Sequence, residues 1–269
     1  MPLAVCATPI GNLDDVTLRV LAELREADVV LCEDTRRTRI LLGRHGIDVR
    51  VVSYHRHNEA ARAGEIVARL ERGERVALVS DAGLPGVNDP GARLIDAAVS
   101  AGLAVTVLPG PSAVETALVA SGLVCDRYQF VGYLPRRAGE LRALARELAR
   151  WPDSVVAFES PRRLAGSLTV LAEEMPERHA AVCRELTKRF EEVVRGSLAE
   201  LADRFVEPPR GEITLVLGAT VVEPDGQAAH DALAATRELL SAGVARREAV
   251  DIVSRLTGVS RNSLYRASL

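Results

Sequence analysis

The chain of 269 residues is 48% hydrophobic and 26% charged, with 3% aromatic residues and a formal net charge of −3. These values describe a globular chain long enough for two compact domains, and no apolar run approaches membrane-spanning length. With no basic-then-apolar leader at its start, the expected location is the cytoplasm, and the mild acidity argues against a globally basic nucleic-acid binder while leaving a local basic face open.

In chain order, Leu3 to Ala7 reads as an apolar strand that runs into Thr8-Pro9-Ile10-Gly11-Asn12. Asp14 or Asp15 is the expected cap of a helix with Leu18, Leu21 and Leu24 on one face. Val29 to Cys32 is the next strand, ending in Glu33-Asp34-Thr35, and Val49 to Ser53 is a short one. Glu59 to Arg72 is an amphipathic helix with Ile66, Val67 and Leu70 on one side. The strand Val76 to Val79 then enters Ser80-Asp81-Ala82-Gly83-Leu84-Pro85-Gly86-Val87-Asn88-Asp89-Pro90-Gly91. Gly admits positive φ and Pro freezes φ, so this loop fixes a backbone path close to something. Ala92 to Ala101 is helical, and Val105 to Leu108 is a strand entering Pro109-Gly110-Pro111-Ser112-Ala113, with a helix from Ser112 to Ser121. Three strands thus end in Pro/Gly loops followed by helical patterns. Such loops converge on one edge of a parallel sheet, where open α/β sheets hold ligands.

The second half changes character. Gln129 to Leu134, Ser154 to Phe158, Ala180 to Leu186, Glu192 to Gly196 and Glu212 to Gly218 are strands, with helices at Arg137 to Arg150 and Pro161 to Met175. Too little chain separates Leu186 from Glu192 for a crossover helix, so a hairpin and a mixed sheet are expected. Ala219 to Gly226 reads as a linker, and Ala228 to Leu240, Arg246 to Leu256 and Ser260 to Ala267 as a helical tail. The expected organisation is an N-terminal α/β domain at 1–112, a second α/β domain at 113–220 and a tail at 227–269. Gly258 and Ser260 give that tail a helix-turn-helix pattern, read either as an RNA contact or as a docking element.

No G-x-G-x-x-G fingerprint or Walker A motif is present, which argues against hydride and phosphoryl transfer. Cys6, Cys32, Cys125 and Cys183 form no CxxC pair and read as reduced core thiols, so no metal is expected. Lys188 is the only lysine in the chain.

Six blocks in order, Ala7-Thr8-Pro9-Ile10-Gly11-Asn12-Leu13, Cys32-Glu33-Asp34-Thr35-Arg36, Ser80-Asp81-Ala82-Gly83, Leu108-Pro109-Gly110-Pro111-Ser112-Ala113, Phe158-Glu159-Ser160-Pro161-Arg162-Arg163 and Arg184-Glu185-Leu186-Thr187-Lys188, carry a resemblance across nearly the whole chain. The chain resembles the small-subunit ribosomal RNA methyltransferases of the tetrapyrrole methylase superfamily. That resemblance implies two α/β domains with S-adenosylmethionine in the cleft between them, a homodimer, and 2′-O-methylation of a cytidine in the decoding region of 16S rRNA on the small ribosomal subunit. Two alternatives stay open: a tetrapyrrole or other small acceptor, and a non-catalytic RNA-binding assembly protein. One departure is visible. The family loop reads Ser-Asp-Ala-Gly-Thr-Pro and then an apolar residue, whereas here Leu84 stands for the Thr and Gly86 for the apolar residue.

A sulfonium cofactor with a ribose diol needs apolar walls, close backbone and a carboxylate. Asp81 supplies the carboxylate, Ala82, Gly83 and Val87 the close main chain, and Pro9 and Ile10 a wall. Ser112 and Ala113 open a helix whose free N–H groups suit a polar end of the ligand, Ser112 reading equally as a plain cap. Phe158, Leu186, Glu212 and Ile213 join the cofactor set by resemblance alone. Loss of the hydroxyl proton calls for a base, and the candidates are Lys188, provided burial or neighbouring Arg lowers its pKa, Glu185, and the pair Glu33 and Asp34. Lys188 reads equally as a phosphate-binding cation. RNA contacts are expected from Arg36, Arg37 and Arg39, Arg136 and Arg137, Arg162 and Arg163, and Arg184 and Arg189, clustered beside the motif loops. Tyr54 and His55-Arg56-His57-Asn58 add possible stacking.

Overall fold

The computed structural model describes residues 2–123, 126–220 and 226–268, so Cys125 and most of the expected linker lie outside the described residues. Residues up to Thr220 form one compact unit containing two five-stranded sheets, and the rest form a second unit.

The first sheet is parallel throughout. Its strands are β1 (Leu3–Cys6), β2 (Val29–Cys32), β3 (Val51–Ser53), β4 (Val76–Val79) and β5 (Val105–Leu108), in the order β3-β2-β4-β1-β5. β1, β2 and β4 are buried along their whole length, as near-continuous apolar strands covered on both faces should be. Alternation divides them. Ala4, Cys6, Val30, Cys32, Ala77 and Val79 pack under α1 (Leu18–Glu26) and α2 (Thr35–Arg44). Leu3, Val5, Val29, Leu31, Val76 and Leu78 pack under α3 (Glu59–Glu71) and α4 (Ala92–Ser100). The chain moves outward from β1 to β3, returns to β4 and crosses β1 to reach β5. The carboxyl ends of β1 and β4 therefore flank a topological switch point.

The sequence reading needs two corrections here. Neither Asp14 nor Asp15 caps α1: both lie in a 3₁₀ turn, Leu13–Asp15, and Thr17 accepts from the Val20 N–H at 3.2 Å. Asp14 is instead paired with Arg44 at 3.1 Å. α2 was not expected at all. Its sequence is rich in Arg, and only Thr38, Leu41 and Leu42 are buried, so the apolar stripe is too narrow to stand out.

The second sheet is mixed. β6 (Tyr128–Tyr133) runs parallel to β7 (Ser154–Glu159), while β10 (Ile213–Leu217) pairs antiparallel with β7 and with β8 (His179–Arg184). The expected hairpin joins β8 to β9 (Glu192–Ser197). One face packs on α6 (Ala138–Ala149), α7 (Leu164–Glu174) and the unforeseen α8 (Leu198–Arg204), which begins in a capping box between Ser197 and Glu200. The other face packs on α5 (Ala113–Ser121), the helix that leaves the first sheet. Ile10 and Ala82, from the loops after β1 and β4, join that same apolar cluster. The switch-point loops are thus anchored on the second sheet.

In the tail unit, α9 (Gly226–Ser241), α10 (Arg246–Thr257) and α11 (Arg261–Ala267) enclose Ala232, Val250, Val253, Val259 and Leu264. Gly258 ends α10 at φ +74, while Ser260 precedes α11 with no side-chain capping bond. Among the described residues no helix is long and apolar enough to cross a membrane.

Candidate functional site

The loops after β1 and β4 are tied to each other by backbone. Thr8 N–H donates to Gly83 O at 2.8 Å and Gly83 N–H returns to Thr8 O at 3.0 Å. The Thr8 hydroxyl donates to Ser80 O at 3.0 Å and the Ser80 hydroxyl to Gly83 O at 2.9 Å. Gly83 sits at φ +76, where a side chain would be strained. Behind the bridge, Asp81 accepts from the Asp34 N–H at 3.0 Å and lies 3.8 Å from Arg37. Its carboxylate is fixed by the neighbouring strand end.

The opposite wall comes from the β8–β9 turn. Gly11 is pressed against it so closely that a Cβ would lie 2.7 Å from Leu186 O and Thr187 Oγ1, and the Asn12 N–H donates to Thr187 Oγ1 at 3.0 Å. Glu185 and Thr187 hold φ of +52 and +64, an unusual conformation for side chains of their kind and a costly one for β-branched Thr187. Lys188 Nζ donates at 2.8 Å to both Glu185 and Glu212. Burial pulls the ammonium pKa down, but these two carboxylates outweigh it and hold it above its ordinary value. Burial likewise raises Glu185, yet hydrogen bonds from Lys188 and the Glu212 N–H win and lower it. The condition under which Lys188 would serve as a base is not met, because its neighbours are carboxylates rather than guanidinium groups. Asp34 is also held low, by the Arg36 N–H at the start of α2.

Between these walls lies a cleft of about 270 Å³. It brings together Pro9, Ile10, Asp81, Ala82, Lys188 and Glu212 from the expected set, with Arg37 at its side. Thr38, Ile40 and Leu41 of α2 also line it. Sequence reasoning missed them because it missed that helix. Val87 is exposed farther along the loop. Leu84 packs into the core under α3 and α4, and Gly86 needs its φ of +86, so both departures from the family loop have local structural reasons. The Ser112 hydroxyl is bonded to Glu115, which also accepts from Tyr128 at 2.7 Å, and Ser112 makes no capping bond. Ala113, Phe158 and Leu186 belong to the apolar cluster beneath the loops, Phe158 edge-on to Phe130 with centroids 5.0 Å apart. Ile213 faces the opposite side, among the residues under α6 to α8. Period-2 alternation turns its neighbours Thr214 and Val216 the other way.

One group escaped the sequence reading. Asp89, on the loop that carries Asp81, is raised to about 6 by burial, with Glu33 and Asp81 adding to the effect and Arg56 opposing it.

The arginines divide by partner. Arg36 pairs with Asp34 at 3.3 Å, Arg137 with Glu140 at 3.1 Å and Arg184 with Glu192 at 3.0 Å. Arg163 is committed to structure: it pairs with the fully buried side chain of Glu159 and donates to Leu134 O and Pro135 O, which removes it from any phosphate track. Arg136, Arg162 and Arg189 are exposed with no carboxylate partner among the described residues. Tyr54 is buried under α3 and cannot stack on a base.

Fold and cleft together define a two-sheet α/β protein with a candidate ligand site at the switch point of its parallel sheet. The chain belongs to the Tetrapyrrole (Corrin/Porphyrin) Methylases, whose family model matches residues 2–202. Two similar proteins are both named ribosomal RNA small subunit methyltransferase I. The one from Mesorhizobium japonicum is 48% identical over 64% of this chain and 58% of its own length, and the one from Halalkalibacterium halodurans is 43% identical over 62% and 57%. The matches therefore span less than three fifths of these relatives. Among solved structures, uroporphyrin-III C-methyltransferase from Thermus thermophilus complexed with S-adenyl homocysteine shares the fold, with a TM-score of 0.58, 20% identity and coverage of 81% of this chain and 97% of that one.

Proposed function

We propose that this chain is an S-adenosylmethionine-dependent methyltransferase of small-subunit ribosomal RNA. In this reading it is a cytoplasmic homodimer, and its acceptor is the ribose 2′-hydroxyl of a cytidine in the decoding region of 16S rRNA. The observation that carries the reading is the bridged pair of loops at Thr8 and Gly83, which presents Asp81 beside an apolar wall inside a family of methylases. The names of the two relatives supply the acceptor class.

The residues present fit the cofactor. Pro9, Ile10, Leu13 and Ala82 offer apolar surface, Asp81 a fixed carboxylate for a diol or ammonium, and Glu212 a second acceptor at the rim. When bound, S-adenosylmethionine supplies a methyl group activated by a sulfonium. The chain's own work is then alignment and proton removal, since a well-oriented displacement gains much of its rate from positioning. Lys188, held as an ammonium between Glu185 and Glu212, places a fixed positive charge at the cleft.

The test is transfer of labelled methyl to small subunits lacking the modification, run beside naked 16S rRNA and a free tetrapyrrole, with nuclease mapping of the product. Label on a decoding-region ribose is the expected result. Label on the tetrapyrrole alone would replace the acceptor, and cofactor binding without transfer would leave an RNA-binding protein.

A further inference from the structure

The β8–β9 turn has an outer side that the cleft does not use. Residues 185–191 form a closed double turn, with Lys188 N–H donating to Glu185 O at 3.0 Å and Glu191 N–H to Lys188 O at 3.1 Å. The Glu191 carboxylate caps it by accepting from the Thr187 N–H at 2.6 Å. With Thr187 also held by Asn12, the segment is rigid where an ordinary hairpin tip would be loose. At its end Phe190 is 66% exposed, in a chain with only four phenylalanines. The Arg189 guanidinium lies 5.5 Å from the centre of its ring. The exposed ring and the guanidinium beside it offer two flat surfaces on which a base can stack.

Arg189 also lines an open depression of about 580 Å³, with Asn12, Arg44, Thr187 and Lys188. Gly11, Leu13 and Lys188 are shared between this depression and the cleft, so the two are continuous. Arg44 is spoken for by Asp14, and Lys188 by Glu185 and Glu212. Arg189 keeps its charge free of any carboxylate partner among the described residues. A free guanidinium, an exposed ring and a polar trough leading to the cleft match the chemistry of single-stranded nucleic acid, whose bases stack and whose phosphates seek cations.

We propose that Phe190 and Arg189 form a stacking platform for an unpaired nucleotide adjacent to the one whose ribose enters the cleft, with the intervening phosphate held by Arg189 at the edge of the adjoining depression. This deepens the methyltransferase reading and rests on it for the identity of the strand.

The direct test uses the full chain carrying Trp151→Phe and Phe190→Trp, so that the sole tryptophan reports on the platform. A short oligoribocytidylate should quench its emission, while inorganic polyphosphate of equal charge should not. In steady state, Phe190→Ala should raise KM for small subunits roughly tenfold, the effect of losing one stacked base, with kcat within about twofold and cofactor affinity unchanged. Phe190→Tyr should restore KM. An unquenched tryptophan, or an unchanged KM in Phe190→Ala while the parent protein methylates subunits, overturns the platform and leaves the methyltransferase reading standing. If the parent methylates no RNA, that reading falls, and the quenching experiment still decides whether the platform binds a base.

Discussion

The two sheets hold their parts of the site in different ways. In the first, parallel sheet the work is done by backbone: Thr8 and Gly83 bridge each other, and Asp81 is fixed by the Asp34 N–H. In the second, mixed sheet it is done by charged side chains, Lys188 between Glu185 and Glu212 at the rim and Glu159 with Arg163 and Ser167 beneath it. A parallel sheet brings several loops to one edge, where close main chain can shape a pocket. An antiparallel hairpin supplies only its own turn, which here adds the Lys188 ion pairs to its backbone hydrogen bonds. Damage to the second sheet should therefore register first as lost stability, and damage to the first as lost ligand binding.

Glu159→Ala gives the largest expected effect. Removing a fully buried carboxylate leaves Arg163 without its counter-charge, at a cost of about 3 kcal/mol in denaturant unfolding. Undiminished stability would show that the second sheet does not lean on this pair. Gly11→Ala tests the seam between the sheets. Its Cβ would meet Leu186 O at 2.7 Å, a backbone atom that cannot swing away, so about 1–3 kcal/mol of destabilisation is expected, together with weaker cofactor binding by calorimetry. Asp81→Ala should separate the two regions most clearly: cofactor affinity falls roughly tenfold, about 1.4 kcal/mol, while the unfolding midpoint moves little. A midpoint that fell as far as the affinity would make Asp81 structural.

Asp89→Asn carries the smallest stability effect and a defined pH signature. Because the folded pKa of Asp89 is raised to about 6, the folded state holds its proton more tightly than the unfolded chain. Stability should be greatest below about pH 4 with respect to this group and should decline as pH rises to about 6. The variant should lack that decline. A parent whose unfolding midpoint stays flat between pH 4 and 6 would contradict the assignment.

Much of the cleft was legible because its makers are Gly, Pro and apolar strand residues, whose backbone preferences are local. Pro9, Ile10, Asp81 and Ala82 could be placed together from three strand-loop-helix patterns alone. Glu212, Leu186 and Ile213 needed the resemblance, and the side chain of Ile213 faces away from the cluster beneath the loops, because a one-residue step along β10 exchanges the two faces of the sheet. α2 escaped notice under its arginines, and with it Thr38, Ile40 and Leu41. Lys188 was singled out correctly as unusual, yet its protonation depends on Glu185 and Glu212, of which Glu212 lies 24 residues away.

The sequence by itself determined the parallel first sheet, the hairpin and mixed pairing of the second, and the loops that shape the cleft, since hydrophobic periodicity and the φ limits of Gly and Pro act over a few residues. Only the tertiary structure decided which charges are paired, which arginines stay free and which proton affinities shift. Those properties depend on groups brought within a few ångströms by chain segments far apart in sequence, and on how much water remains around them.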